Sequence, residues 1–264
     1  MHPILFYIGS FPVRSFGLML MVGFIVAILI ACRRANRFNL TPAQIQDSAV
    51  WIIILGVLFA RLAFIGQEWK YYQNHTNEIF KLQMDGLTSF GGLLGGAIGV
   101  FLYSKFKGLH PLQLLDTIGV PMLVASAIGR VGCLLNGCCY GFACQSSPPG
   151  VSLSDGRGGT LLGPNGEPYF IPAQLLDSAL ALFGVLVITQ LERRGKLPQG
   201  GSLGWTFIAY GLARFTYEFI RFGQSSEVLP GIMLTHAQLA AGLLAFIGLV
   251  ILLWARRRKA VEVS

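Results

Sequence analysis

The sequence predicts an all-α, polytopic membrane protein of about seven transmembrane helices, with its N-terminus outside and its C-terminus in the cytoplasm. Three observations predict it. Hydrophobic residues make up 53% of the 264 and charged residues only 12%, at a mean hydropathy of +0.61, which is more apolar surface than one soluble core needs. Apolar runs approaching the ~20 residues that cross a hydrocarbon core of roughly 30 Å recur along the chain. Basic residues cluster after every second run. The alternating segments that an outer-membrane barrel requires do not occur in the sequence.

The runs lie at 16–32, 48–64, 89–103, 114–135, 174–191, 203–220 and 236–254, within a single integral-membrane domain over 1–264. Residues 1–15 lack the basic region of a cleavable signal, so the first run is expected to stay as an anchor. Arg33, Arg34 and Arg37 follow it. Leu29-Ile30-Ala31-Cys32 looks like a lipobox, but those arginines put Cys32 at the cytoplasmic end. The second run carries Arg61, a third cation for an anionic ligand or, equally, a side chain that snorkels or pairs with Asp116 of the fourth. Segment 66–85 reads as interfacial, with Trp69, Tyr71 and Tyr72 at headgroup level, and its Asn74-His75-Thr76 is a sequon by pattern only.

The third run opens Thr88-Ser89-Phe90-Gly91-Gly92, and its glycines at 91, 95 and 99 and at 92 and 96 form a seam for close helix approach. At the outer entrance, Gly91 and Gly92 could also admit a headgroup or expose backbone N–H groups to it. Lys105 and Lys107 close this run. The fourth ends in Gly-Arg-Val-Gly-Cys-Leu-Leu-Asn-Gly-Cys-Cys-Tyr-Gly, residues 129–141, followed by a Gly/Pro/Ser-rich loop over 142–170. Arg193, Arg194 and Lys196 follow the fifth run, and Arg256, Arg257, Arg258 and Lys259 the seventh. Cytoplasmic loops are the basic ones, which sets the orientation and accounts for most of the +8 charge without a nucleic-acid partner.

A charge at a helix centre in hydrocarbon costs at least ~2.5–3.5 kcal/mol, so Arg130 needs an anionic partner. In the sixth run Tyr210, Arg214 and Glu218 are spaced i, i+4, i+8, with Arg221 three further on, so all four can share one helix face. Arg214 and Glu218 could be a structural ion pair alone. Arg130 and Arg214 together would offer two guanidinium forks to a phosphate.

Four of the five cysteines, Cys133, Cys138, Cys139 and Cys144, lie within a dozen residues on the expected outer side. Disulfides persist there, and Cys138 or Cys139 could pair with Cys144. Zinc is less expected, with no C-x-x-C and no nearby histidine, and neither metal nor cofactor is assigned. Two other function classes follow from these residues. One is a membrane thiol oxidoreductase built on Cys138 and Cys139, which leaves both arginines unexplained. The other is a transporter for an anionic solute, which would need repeats that the halves do not show.

The chain resembles the prolipoprotein diacylglyceryl transferase family, bacterial inner-membrane enzymes of seven transmembrane helices. The resemblance rests on Val13-Arg14-Ser15-Phe16-Gly17-Leu18-Met19, Ala60-Arg61-Leu62, Gly91-Gly92-Leu93, Asp116, residues 129–141, Pro172-Ala173-Gln174-Leu175, and Tyr210-Gly211-Leu212-Ala213-Arg214-Phe215 with Glu218 and Arg221. It implies transfer of a diacylglyceryl group from phosphatidylglycerol to the lipobox cysteine in the signal peptide of a prolipoprotein. Arg130 and Arg214 match the family's two essential arginines. Gly129, Asn136 and Gly141 match the rest of the signature, with Asn136 as a headgroup partner, and Tyr210 and Glu218 would orient Arg214 or relay a proton. The chain departs from the family at Phe90, commonly histidine, at Phe16, commonly tyrosine, at Cys133 and Cys138, often Asn and Glu, and at Ile171 to Asp177, usually His-Pro-Ser/Thr-Gln-Leu-Tyr-Glu. The thiol proton then falls to arginine-assisted ionisation, to Glu218 or to His236, or the chain is a paralogue with another acceptor.

Overall fold

The computed structural model describes residues 4–9, 11–73, 88–147, 150–153, 160–221 and 234–263. Its elements run β1 (Ile4–Ile8), β2 (Phe11–Arg14), α1 (Ser15–Arg34), α2 (Pro42–Gln67), the one-turn α3 (Trp69–Tyr72), α4 (Ser89–Lys107), α5 (Pro111–Asn136), β3 (Ala143–Cys144), β4 (Tyr169–Phe170), α6 (Ala173–Arg193), α7 (Gly201–Glu218) and α8 (His236–Val263). Each of the seven apolar runs falls on a long helix, the sixth overrunning the end of α7 by two residues. Among the described residues five stretches, Ser15–Phe38, Pro42–Gln67, Pro111–Asn136, Ala173–Arg193 and His236–Arg258, are long and apolar enough to cross a membrane. Large apolar side chains such as Phe183, Leu186, Leu243 and Phe246 are more than half exposed, while Asp116, Thr117, Gln174, Ser202 and Glu218 are buried. That inversion is what hydrocarbon around the helices demands.

The chain divides into two compact units, residues 31–117, and residues 1–30 with 118–264. In the first of these, Thr41 starts α2 with a capping box to Gln44. α2 and α4 then pack along the glycine seam. A Cβ on Gly91 would collide with the Phe59 carbonyl and Ala63, one on Gly95 with the Leu55 carbonyl, and one on Gly99 would come within 3.0 Å of Ile52. Only glycine allows backbones this close. Gly91 N–H donates to Thr88 Oγ1 at 3.4 Å and Gly92 N–H to the Thr88 carbonyl at 3.1 Å. Both amides are thus spent on the helix cap, and the space beside Gly91 is filled by α2, which corrects the headgroup role considered for Gly91, whereas a Cβ on Gly92 would meet α2 only in ordinary contact at 3.8 Å.

Arg61 lies over the rings of Phe64 and Tyr72, 5.9 and 5.6 Å from their centroids. Ala60 meets Gly91 at the start of α4, whereas Asp116 comes after the far end of α4 in sequence, on α5. Asp116 is fully buried, and its carbonyl accepts Arg34 Nη2 at 3.2 Å. Arg34 Nε donates to the Thr117 carbonyl, also at 3.2 Å. Pro121, inside α5, has no N–H to offer that carbonyl, so the arginine supplies the missing donor. Trp69 and Tyr71 are about half exposed, Tyr72 is buried, and the sequon with the rest of 74–85 lies outside the described residues.

In the other unit, β1 and β2 form an antiparallel hairpin in a stretch whose sequence predicted no strand. α1 crosses α5 where Gly23 faces the Ala125 backbone and Gly132 faces Phe16 and Met19. α6 joins α5 through Ser178 Oγ, which donates to the Ala127 carbonyl at 3.0 Å. α7 and α8 meet at Gly204, Gly211 and Gly248, where an added Cβ would lie within 3 Å of the facing helix. The loop over 142–170 is closed at its base by β3 pairing with β4, Ala143 opposite Phe170 and Cys144 opposite Tyr169.

Candidate functional site

Arg130 projects from α5, and its Nε lies 2.6 Å from Asp177 Oδ2 on α6. The anionic partner that a charge at this depth requires is therefore within the chain, at a position the sequence had marked only as a departure. From α7, Arg214 Nη2 lies 2.9 Å from Glu218 Oε2, so the structural ion pair forms, and Arg221 Nη1 approaches the same oxygen at 3.7 Å. Arg214 Nη1 is buried with no hydrogen-bond partner among the described residues. A guanidinium donor held in this way still has a bond to give.

Tyr217 joins the two arginines. Its ring is fully buried, with the Arg130 guanidinium 4.8 Å and the Arg214 guanidinium 4.9 Å from its centroid. Its hydroxyl donates to the Cys139 carbonyl at 2.7 Å. Gln174 Nε2 donates to the neighbouring Cys138 carbonyl, also at 2.7 Å, and Gln174 Oε1 is buried without a hydrogen-bond partner among the described residues. Tyr217, Asp177 and Gln174 received no role from the sequence. The one available signal was that Tyr217 follows Arg214 by three residues and so shares its face of α7.

Other expected residues are placed differently. Tyr210 is on α7 and 38% exposed, one turn before Arg214. Arg221 is past the end of α7, in an isolated antiparallel bridge with Gly141, rather than on the helix face. Gly141 N–H donates to the Ile171 carbonyl at 2.8 Å, and a Cβ there would sit 2.9 Å from the Ile220 carbonyl, so this glycine is a backbone junction. Gly129 has open space where a side chain would be. Asn136 is the last residue of α5. Arg61, Gly91 and Gly92 belong to the other unit, and His236 opens α8.

The cysteines meet in a way their spacing does not advertise. Gly137, at φ 74°, ends α5 in a Schellman motif: its N–H donates to the Leu134 carbonyl at 3.2 Å and Cys138 N–H to the Cys133 carbonyl at 3.1 Å. This folds Cys138 back over Cys133. Cys139 takes φ 63°, rare for a residue with a side chain, and the sulfurs of Cys133, Cys138 and Cys139 all lie within 4.8 Å of one another. All five cysteines are free, and Cys144 Sγ contacts the Ser146 carbonyl instead, which corrects the expected pairing with Cys144. Hydrogen bonds from Cys133 and Cys138, and then the charges of Arg221 and Arg130, push the Cys139 thiol well below its ordinary range.

Among the described residues three guanidinium groups thus face two carboxylates, an excess of guanidinium over carboxylate beside exposed apolar helices. Such a site suits an amphiphilic anion, and two arginines on one ring suit a phosphate. The family model for prolipoprotein diacylglyceryl transferase matches residues 3–254. A phosphatidylglycerol–prolipoprotein diacylglyceryl transferase of Streptococcus uberis is 30% identical over 260 residues, 98% of this chain and 97% of its own length. A protein of the same name from Streptococcus equi subsp. zooepidemicus is 29% identical over 265 residues, 99% of this chain and 98% of its own. A third, from Lactobacillus johnsonii, is 27% identical over 269 residues, 99% and 92% of the two chains.

Proposed function

The chain belongs to the prolipoprotein diacylglyceryl transferase family, and from that membership we propose that it transfers the diacylglyceryl group of phosphatidylglycerol to the lipobox cysteine of prolipoproteins. This is the first step of lipoprotein maturation, carried out by one multi-pass domain, 1–264, in the bacterial inner membrane. The observation that carries the reading is the excess, among the described residues, of guanidinium over carboxylate around Tyr217, with Arg214 Nη1 buried and without a hydrogen-bond partner among them.

The thiolate sulfur attacks the glyceryl carbon that bears the phosphate ester. A C–S bond forms, the C–O bond breaks with its electron pair going to the phosphate, and glycerol phosphate departs. The diester carries one negative charge, and the monoester leaves with roughly −1.5 to −2. Arg130 and Arg214 therefore bind the departing group more tightly than the intact lipid, and this differential lowers the barrier. Asp177 and Glu218 hold the two guanidinium groups in place, and Arg221 shares Glu218. Tyr210, Gly129 and Asn136 are assigned to contacts with the lipid, Tyr210 by its exposure one turn from Arg214.

The test incubates the purified protein with phosphatidylglycerol and a lipobox peptide and detects the thioether product by mass. Product forms with the natural chain and is lost in Arg130→Ala and Arg214→Ala. Undiminished product in either variant overturns the arginine assignment. Bound phosphatidylglycerol without product in the natural chain points to a different acceptor.

A further inference from the structure

We propose that Cys133, Cys138 and Cys139 form a trithiolate site for a thiophilic d10 cation, Zn(II) or Cu(I). The three sulfurs lie within 4.8 Å of one another. Thiolates bound to one ion at about 2.3 Å stand roughly 4 Å apart, so small side-chain rotations close the site. The backbone already presents the ligands. The Schellman motif at Gly137 stacks residue 138 on residue 133 through the bond from Cys138 N–H to the Cys133 carbonyl. Consecutive side chains ordinarily diverge, but the left-handed Cys139, φ 63°, turns the third sulfur toward the other two. Such a conformation is unfavourable for a residue with a side chain, and it is held by Tyr217 Oη and Gln174 Nε2 through the carbonyls of Cys139 and Cys138.

Charge and access favour the same ligand. Zn(II) bound by three thiolates makes a complex of net charge −1, close to the guanidinium groups of Arg130 and Arg221, whose charges act on Cys139. Soft thiolates select Zn and Cu(I) over Mg or Ca. Cys133 is buried at the end of α5 and Cys138 and Cys139 are half-buried, so an ion enters from the side of the latter two. Bound metal would staple the end of α5 to the segment whose carbonyls hold Tyr217 and Gln174. Its readout is metal content, which stands apart from the transferase reading.

The full-length protein in detergent, reduced and kept anaerobic, is loaded with Zn(II) or with Cu(I) in separate arms, desalted and analysed for metal. One ion per chain is expected in at least one arm, lost in Cys133→Ser, Cys138→Ser and Cys139→Ser and kept in Cys32→Ser and Cys144→Ser. X-ray absorption on the loaded natural chain should show three sulfur neighbours at about 2.3 Å, a measurement that needs no variant to fold. Three results overturn the site: no stoichiometric metal in either arm, a shell of nitrogen and oxygen only, or full metal retention in any of the three variants. In a separate arm, protein purified without reductant whose mass is two hydrogens lower and which takes up no metal would assign the cluster to a disulfide instead.

Discussion

At Tyr217 one buried ring serves two guanidinium groups, at 4.8 and 4.9 Å. Such contacts contribute ~2 kcal/mol or more when desolvated, so the ring and its hydroxyl make separable contributions. Tyr217→Phe keeps the ring and gives up the bond to the Cys139 carbonyl, a loss of about 1 kcal/mol, or about fivefold in kcat/KM. Tyr217→Leu releases both arginines and should lower kcat/KM by on the order of a hundredfold or more. Thioether formation measured for both variants checks the order; equal losses would mean that the ring matters no more than the hydroxyl. Arg130, Arg214 and Glu218 were legible in the sequence because charges in apolar runs stand out against a large transfer cost. Tyr217 was not, because an aromatic in an apolar helix reads as packing until its neighbours are known. Gly141, a signature glycine beside a candidate headgroup site, is a junction between backbone segments, a role its place in the sequence did not announce.

Among the elements, the α2–α4 pair depends on the smallness of its seam. Gly95→Leu would drive a side chain into the Leu55 carbonyl and should cost about 1–3 kcal/mol or more, whereas Gly96→Ala, whose Cβ meets Ile52 Cγ2 at 3.6 Å in ordinary contact, should be nearly neutral. Thermal unfolding in detergent separates the two. The small-xxx-small spacing predicted this seam correctly, because close approach of helices needs only a stripe of glycines on one face. The turn at 163–167 responds to pH. Glu167 accepts from Asn165 Nδ2 at 3.0 Å and from Asn165 N–H at 2.9 Å, and those bonds, the side-chain one first, hold its carboxyl below the ordinary range. A depressed folded-state pKa stabilises the turn above the ordinary glutamate range and loses that contribution as pH falls through the lowered value. Hydrogen exchange at the Asn165 amide should accelerate, beyond its intrinsic pH trend, only below about pH 4. A rise already complete at pH 6 would refute this.

For the whole molecule, the distribution of charge carries the proposed orientation. Basic clusters stand at the ends of α1, α4, α6 and the apolar part of α8, and the bias of such clusters toward the cytoplasm would put the C-terminus inside and residues 129–141 outside. Cysteine labelling in intact cells tests this: an impermeant reagent should reach a cysteine introduced at Ser147 and not one introduced at Lys196, in a background lacking the natural cysteines, and the reverse pattern would invert the topology.

The sequence by itself determined the helices, the composition of a lipid-facing surface and the residues that could not lie in hydrocarbon without a partner. These follow from hydropathy and transfer cost, which depend on each residue and its near neighbours. Tertiary structure alone decided who the partners are. Asp177 reaches Arg130 from another helix, three thiols meet because a C-cap reverses the chain, and Arg61 lies over the rings of Phe64 and Tyr72. Such pairings depend on how helices rotate and cross, which is settled by side-chain packing across the whole bundle rather than by any local pattern.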